Sequence, residues 1–206
     1  MNHLTPEMRT RAEKLVALYP EPRSALIPLC HLAQEQDGYL VDDAMIEIAE
    51  IVGVTPAEVR GTATFYDMLH TDSVGRYVVG VCTNIACLLA GGDELLAHAE
   101  ASLGVRAGGT SEDGLFTLEE TECLADCDIA PCVQVNHRYV RTTTPEALDS
   151  LVAELRAGER GEEIPPHGTL IRVERTVGLE ASKDTIAAER ATARAAAAER
   201  ATVEGS

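Results

Sequence analysis

Four of the six cysteines fall in two close pairs, Cys82 with Cys87 and Cys123 with Cys127, within Val81-Cys82-Thr83-Asn84-Ile85-Ala86-Cys87 and Glu122-Cys123-Leu124-Ala125-Asp126-Cys127-Asp128. A thiol becomes a strong ligand when a cation stabilises its thiolate, and four thiolates gathered at one point need a metal or cluster to offset their repulsion. Each iron of a 2Fe-2S cluster takes two cysteine sulfurs, so two separate pairs meet that count. Zinc also accepts four thiolates, but its knuckles more often use two-residue spacers, and here the spacers are four and three residues. The spacing favours a cluster over zinc and leaves disulfides or unligated thiols as the remaining reading.

The elements around the pairs explain how they are aimed. Tyr77-Val78-Val79-Gly80-Val81 is a β-branched run that stops at Cys82, and residues 115–122 form a second strand candidate, with Phe116 and Leu118 on one face, that stops at Cys123. Both pairs therefore begin where a strand ends. Between the strands a helix is expected over about 93–103, with Leu96, Ala99 and Leu103 inward and Gly104 as its stop. Val133-Gln134-Val135 and Arg138-Tyr139-Val140 flank Asn136-His137 as a tight hairpin, although a type I′ turn prefers Asn-Gly. Thr144-Pro145 starts a last helix with Leu148, Leu151, Val152 and Leu155 as its apolar stripe and Gly158 as its end. Strand, helix, strand, hairpin, helix is the order of a thioredoxin-like α/β sandwich.

Upstream, the periodicity is helical. Thr5-Pro6 opens a first helix with Met8, Ala12, Leu15 and Tyr19 on one face, and a second runs from about Ser24 to Gln36, ending at Asp37-Gly38. Asp42 or Asp43 is expected to cap a third, carrying Met45, Ile48, Ala49 and Val52. Thr55, Pro56 and Glu58 form a capping box for a fourth, whose buried face takes Val59, Ala63, Tyr66 and Leu69. The fold class is thus α+β: a helical bundle over 1–75, a thioredoxin-like domain over 76–160, and an alanine-rich, charged tail over 161–206. In the tail Ala187-Ala188-Glu189-Arg190 recurs as Ala197-Ala198-Glu199-Arg200, and mobility is expected because it has few large apolar side chains with which to dock.

The 206 residues suffice for a hydrophobic core without disulfide staples. The formal charge of -17 lies almost entirely ahead of residue 161; it repels nucleic acid and anionic lipid and favours a basic protein surface as partner. Met1–Leu15 has no apolar h-region, and the least charged stretch, 77–92, falls short of the roughly 20 apolar residues that span a bilayer, so the expected compartment is the cytoplasm. Glu119, Glu120, Glu122, Asp126 and Asp128 crowd the second pair, and two readings stand: a solvated acidic face, or negative charge that lowers the potential of a nearby cluster. His31, His70, His98 and His137 read as surface or core residues and His3 and His167 as terminal ones, since none is interleaved with cysteines as a Rieske-type site requires. Cys30 lies on an apolar helix stripe and reads as core.

Cys82-Thr83-Asn84-Ile85-Ala86-Cys87, then Gly91-Gly92, then Glu122 to Pro131 with Val133-Gln134-Val135-Asn136, resembles the thioredoxin-like 2Fe-2S component of bacterial respiratory complex I, the E-type subunit of NADH:quinone oxidoreductase. Ile27 to Gln36 and Ala63-Thr64-Phe65-Tyr66 resemble that family's helical N-terminal portion, and the likeness covers about residues 5–158. The resemblance implies one 2Fe-2S cluster on Cys82, Cys87, Cys123 and Cys127. It also implies docking on an FMN- and NADH-binding subunit among other peripheral-arm subunits, at the inner face of the cell membrane. The chain would then be the non-flavin iron-sulfur part of an oxidoreductase, with no direct membrane insertion, consistent with its lacking a Gly-rich dinucleotide fingerprint after a strand. The equivalent subunit of a NAD-linked hydrogenase or formate dehydrogenase, a stand-alone ferredoxin and a zinc-stabilised interaction domain are the alternatives. One departure stands out: where that family commonly has Met after Ala-Pro, this chain has Cys132, which reads as a small buried side chain, with a substitute ligand as the other possibility.

Overall fold

A computed structural model describes residues 3–161 and 163–168. Four helices come first: α1 (Pro6–Val16), α2 (Leu26–Asp37), α3 (Asp42–Val52) and α4 (Pro56–Ala63). The Thr55 side chain accepts from the Glu58 N–H while the Glu58 carboxylate accepts from the Thr55 N–H, so the expected capping box opens α4. Gly38 and Gly53 close α2 and α3 in the left-handed conformation that a side chain would resist. The bundle buries Leu29, Leu32, Leu40, Ile48 and Val59 around Cys30, whose thiol burial pushes up to about 12. Glu47, buried in the same bundle, accepts from the N–H groups of His3 and Leu4 and pairs with Arg9, which ties down the start of the chain.

Three expectations shift. Val41, not an aspartate, occupies the N-cap of α3, and Asp42 and Asp43 sit inside its first turn, where their charge meets the positive end of the helix. Helix α1 stops at Val16 and α4 at Ala63, so Tyr19 and Tyr66 leave the faces that periodicity gave them and are partly exposed. A 3₁₀ turn over Pro22–Ala25 delays α2 by two residues relative to Ser24.

The second half is a four-stranded sheet in the order β2-β1-β3-β4, from β1 (Tyr77–Cys82), β2 (Phe116–Thr121), β3 (Val133–Val135) and β4 (Arg138–Val140). β1 runs parallel to β2 and antiparallel to β3. Between β1 and β2 lie a five-residue helix α5 (Ile85–Leu89) and α6 (Gly92–Leu103); α7 (Pro145–Ala157) follows the hairpin. Tyr77, Val79, Val81, Phe116 and Leu118 pack against Leu95, Ala99 and Leu103 of α6 and Leu148, Leu151 and Leu155 of α7. Leu95 is the buried leucine of α6, and Leu96 is only partly covered. Val78, Gly80, Glu119, Thr121 and Gln134 line a cavity on the other face, together with residues 64–67, Leu69 and His70 at the end of the bundle.

The hairpin turn has φ of 49° at Asn136 and 61° at His137, the two positive values of a type I′ turn achieved without glycine. Asn136 compensates: its Oδ1 accepts from the Val78 N–H at 2.7 Å and its Nδ2 donates to the carbonyls of Arg76 and Pro165. Ile164 is fully buried in the sheet core, and the His167 N–H donates to the Arg76 carbonyl, so the packed unit continues past the boundary placed at 160. The alanine-rich part of the tail lies outside the described residues. Among those residues no helix is long and apolar enough to cross a membrane.

Candidate metal centre

Because β1 and β2 are parallel neighbours with Cys82 in register with Thr121, the residues after Cys82 and those from Cys123 onward leave the sheet at the same edge. After β1, the Asn84 side chain accepts from the Ile85 N–H and starts α5, which carries Cys87. This helix is too short to show a period in the sequence; Asn84 at its cap was the available signal. Gly91, at φ 94°, turns the chain into α6, and Gly92 then passes against both cysteines: a Cβ there would lie 2.7 Å from the Cys82 carbonyl oxygen and 2.9 Å from that of Cys87. The Gly91-Gly92 motif is thus a close-packing device for the first pair.

Cys82, Cys87 and Cys132 are buried together, with Leu124 and Ala130 packed on them. The Cys87 and Cys132 sulfurs are 3.6 Å apart, and the Cys132 N–H approaches the Cys87 sulfur at 3.4 Å. Cys123 and Cys127 are exposed, on the loop between β2 and β3, which carries a 3₁₀ turn over Cys127–Ile129. The buried thiols touch that loop through the carbonyls next to those cysteines: the Cys82 thiol donates to the Glu122 carbonyl at 2.7 Å and the Cys132 thiol to the Asp126 carbonyl at 2.9 Å. The Tyr139 hydroxyl donates to the Leu124 carbonyl and holds the loop from the hairpin side. Of the four predicted site residues the structure brings Cys82 and Cys87 together, adds Cys132, and keeps Cys123 and Cys127 one residue away. Among the described residues no three potential ligand side chains converge at metal distance.

Burial, followed by the neighbouring Cys87 thiol, pushes Cys132 up to about 12, and burial also raises Cys87. These sulfurs are neutral thiols until a cation draws off their protons. A donor set of thiols, two held by the sheet and α5 and two exposed on the neighbouring loop, is of the chemistry that fits an iron-sulfur cluster.

The acids divide. Glu119 turns into the cavity beside the bundle, and burial, then the charge of Asp67, raises it. Glu120, near the end of β2, accepts from the Thr83 hydroxyl and ties the segment that follows β1 to the neighbouring strand. Asp126 is raised by desolvation and then by Asp128 beside it.

The histidines hold the larger surprise. His70 and His137 line the same cavity, of about 870 Å³, and the His167 ring meets that of His70 edge-on at 4.7 Å. Burial first, then mutual repulsion, depresses His70 and His167, the latter to about 4, and burial depresses His137. The Nε2 atoms of all three are buried without a hydrogen-bond partner. No local pattern links residues so far apart in sequence, so the gathering comes only from the fold.

The sequence pattern of the thioredoxin-like [2Fe-2S] ferredoxin family matches residues 12–156. The chain is 41% identical over 153 residues to the second E-type subunit of the NADH-quinone oxidoreductase of Rhizobium meliloti, covering 74% of this chain and 91% of that protein. It is 41% identical over 155 residues to NADH-quinone oxidoreductase subunit 2 of Thermus thermophilus, covering 74% and 86%. To the E-type subunit of the NADH-quinone oxidoreductase of Mycobacterium bovis it is 42% identical over 146 residues, 71% of this chain and 58% of that longer protein. The fold also matches a chain of a NAD+-reducing [NiFe]-hydrogenase in the air-oxidized state, with a TM-score of 0.59 at 23% identity, over 68% of this chain and 24% of that one. With the family pattern spanning the bundle, the cysteine loops and α7, the chain belongs to the thioredoxin-like [2Fe-2S] ferredoxin family.

Proposed function

We propose that this chain is the electron-transfer subunit of an NADH:quinone oxidoreductase of the complex I type. It holds one 2Fe-2S cluster on Cys82, Cys87, Cys123 and Cys127 and exchanges electrons with FMN on an adjacent NADH-binding subunit. The observation that carries this reading is the delivery of both cysteine pairs to one edge of the sheet by parallel neighbouring strands, in a chain of this family. When bound, the cluster supplies a one-electron carrier.

The chain's own residues set its surroundings. Leu124 and Ala130 pack over Cys82 and Cys87 and keep water from them. The Cys132 N–H, directed at the Cys87 sulfur, stabilises negative charge there. Outside the site, α5 exposes Ile85, Leu88 and Leu89, an apolar surface beside the first pair that suits a protein partner at the point of electron entry. That partner is the FMN- and NADH-binding subunit, and through it and the other peripheral-arm subunits the chain lies at the inner face of the cell membrane.

Purification of the full chain tests the cluster: two irons and two acid-labile sulfides per chain with visible charge-transfer absorption are expected. A colourless protein with stoichiometric zinc would return the chain to the zinc-stabilised interaction domain. Co-purification with a flavoprotein binding FMN and NADH tests the partner, and co-purification with hydrogenase or formate dehydrogenase subunits would redirect the assignment.

A further inference from the structure

The geometry points to Cys132 as a reserve ligand: a fifth thiol able to take the iron position of Cys82, beside Cys87, when Cys82 is lost. The inference rests on the cluster reading above and extends it to a residue outside the expected four.

Three observations carry it. The first is distance. Two thiolates on one tetrahedral metal ion with bonds of about 2.3 Å are separated by about 3.8 Å, the edge of the tetrahedron. The Cys87 and Cys132 sulfurs already lie 3.6 Å apart, so a shared ion needs little movement of either.

The second is support. Cys132 immediately precedes β3, and its carbonyl accepts from the Cys82 N–H at 3.0 Å, an extension of the β1–β3 ladder. Its sulfur is therefore carried by the sheet, opposite the very residue it would replace. Cys123 and Cys127 are exposed on the loop between β2 and β3, Cys127 at the start of a short 3₁₀ turn, whereas Cys132 is held by the sheet and is better pre-organised than either.

The third is direction. The Cys132 thiol donates to the Asp126 carbonyl, one residue from Cys127. It lies between the first pair and the second, where a cluster spanning both must be. Cys30, the remaining thiol, is enclosed in the bundle and has no such placement. Binding exchanges like for like: the Cys132 thiol releases one proton as its sulfur bonds iron, as the Cys82 thiol does, so the charge of the loaded site is unchanged.

The test is anaerobic reconstitution of the full chain with iron(II) and sulfide, reading iron and sulfide content, visible absorption and the EPR spectrum of the reduced protein. Wild type and Cys132→Ala should load fully. Cys82→Ala should still load, with a shifted EPR spectrum that reports the changed ligand set. Cys82→Ala with Cys132→Ala should fail to retain iron and sulfide, with loss of the visible absorption and of the EPR signal. Far-UV circular dichroism of each apo chain separates ligand loss from misfolding, and Cys82→Val, closer in size and unable to bind iron, replaces Cys82→Ala should that variant unfold.

Loading of wild type, with equal loss in the folded single and double variants, would overturn the reserve role and leave the cluster reading standing; Cys132 would then be packing alone. Failure of wild type itself to take iron and sulfide would overturn both.

Discussion

Gly92→Ala isolates the close approach that shapes the first cysteine pair. A Cβ at this position meets the Cys82 oxygen at 2.7 Å and the Cys87 oxygen and carbon at 2.9 and 3.0 Å, all of them backbone atoms. An ordinary carbon–oxygen contact is about 3.3 Å or longer, so the Cys82 peptide must retreat by about 0.6 Å and that of Cys87 by about 0.4 Å. Overpacking of this kind costs about 1–3 kcal/mol, against about 0.5–1 kcal/mol recovered by exchanging glycine for alanine in a helix. The net loss is then up to about 2.5 kcal/mol, or up to roughly 5–10 °C in Tm for a chain of this size. The ligand effect is larger than the stability effect, because metal sites tolerate only about 0.2 Å in bond length. Reconstituted iron and sulfide should fall severalfold. Gly104→Ala is the control: φ is 67° but no atom lies within 4 Å of its Cβ, so it should lose about 1 kcal/mol and keep a full cluster. Equal cluster content in the two variants would refute the argument that Gly92 positions the cysteines.

Asn136→Ala removes an acceptor from the buried Val78 N–H and donors from two carbonyls; at about 1–3 kcal/mol per abandoned buried group, a loss of about 3–4 kcal/mol is expected in urea unfolding, and a loss under about 1 kcal/mol would contradict it. Because burial holds His70, His137 and His167 below the ordinary 6.5, the unfolded chain takes protons first. Their contribution is therefore whole above pH 6.5 and is lost as pH falls toward about 4. Glu119, raised by burial, works in the opposite sense, gaining stability as it protonates. Tm measured against pH should fall across this window and flatten with His167→Gln; an unaltered slope would remove His167 as a cause. Neutralising the second-pair acids in Asp126→Asn with Asp128→Asn should raise the midpoint potential in a redox titration, since less negative charge then opposes the added electron; an unchanged potential would leave these acids a solvated face.

What was legible in the sequence is what neighbours in the chain decide. Thr55 with Glu58, Thr144 before Pro145, and the glycines ending α2, α3, α6 and α7 each act within one turn, so their chemistry appears in the order of residues. Strand ends were legible for the same reason: β1 stops at Cys82, and β2 stops at Thr121, just ahead of Cys123. Periodicity failed where an element ended sooner than its apolar spacing, as with Tyr19 and Tyr66, or was too short to have a period, as with α5. It also gave Leu96 in place of Leu95, because one residue of phase on a helix is decided by what the helix packs against.

The site divides along the same line. Spacing pairs Cys82 with Cys87 and Cys123 with Cys127, but gives no sign that a fifth thiol joins the first pair. That depends on the antiparallel registration of β3 against β1, which sets Cys132 across from Cys82 and is a property of the sheet. The gathering of His70, His137 and His167 is tertiary in the same way. The sheet and α5 place Cys82 and Cys87 in a packed interior, while Cys123 and Cys127 ride a loop steadied by Tyr139 and by carbonyls that accept from the buried thiols. The rigid half, β1 with α5, carries the first pair and the loop carries the second, so in the proposed site the rigid half would set where iron binds. Cys132 belongs to the rigid half, and for that reason its sulfur, though outside the two pairs, is the one best placed to stand in for a lost ligand.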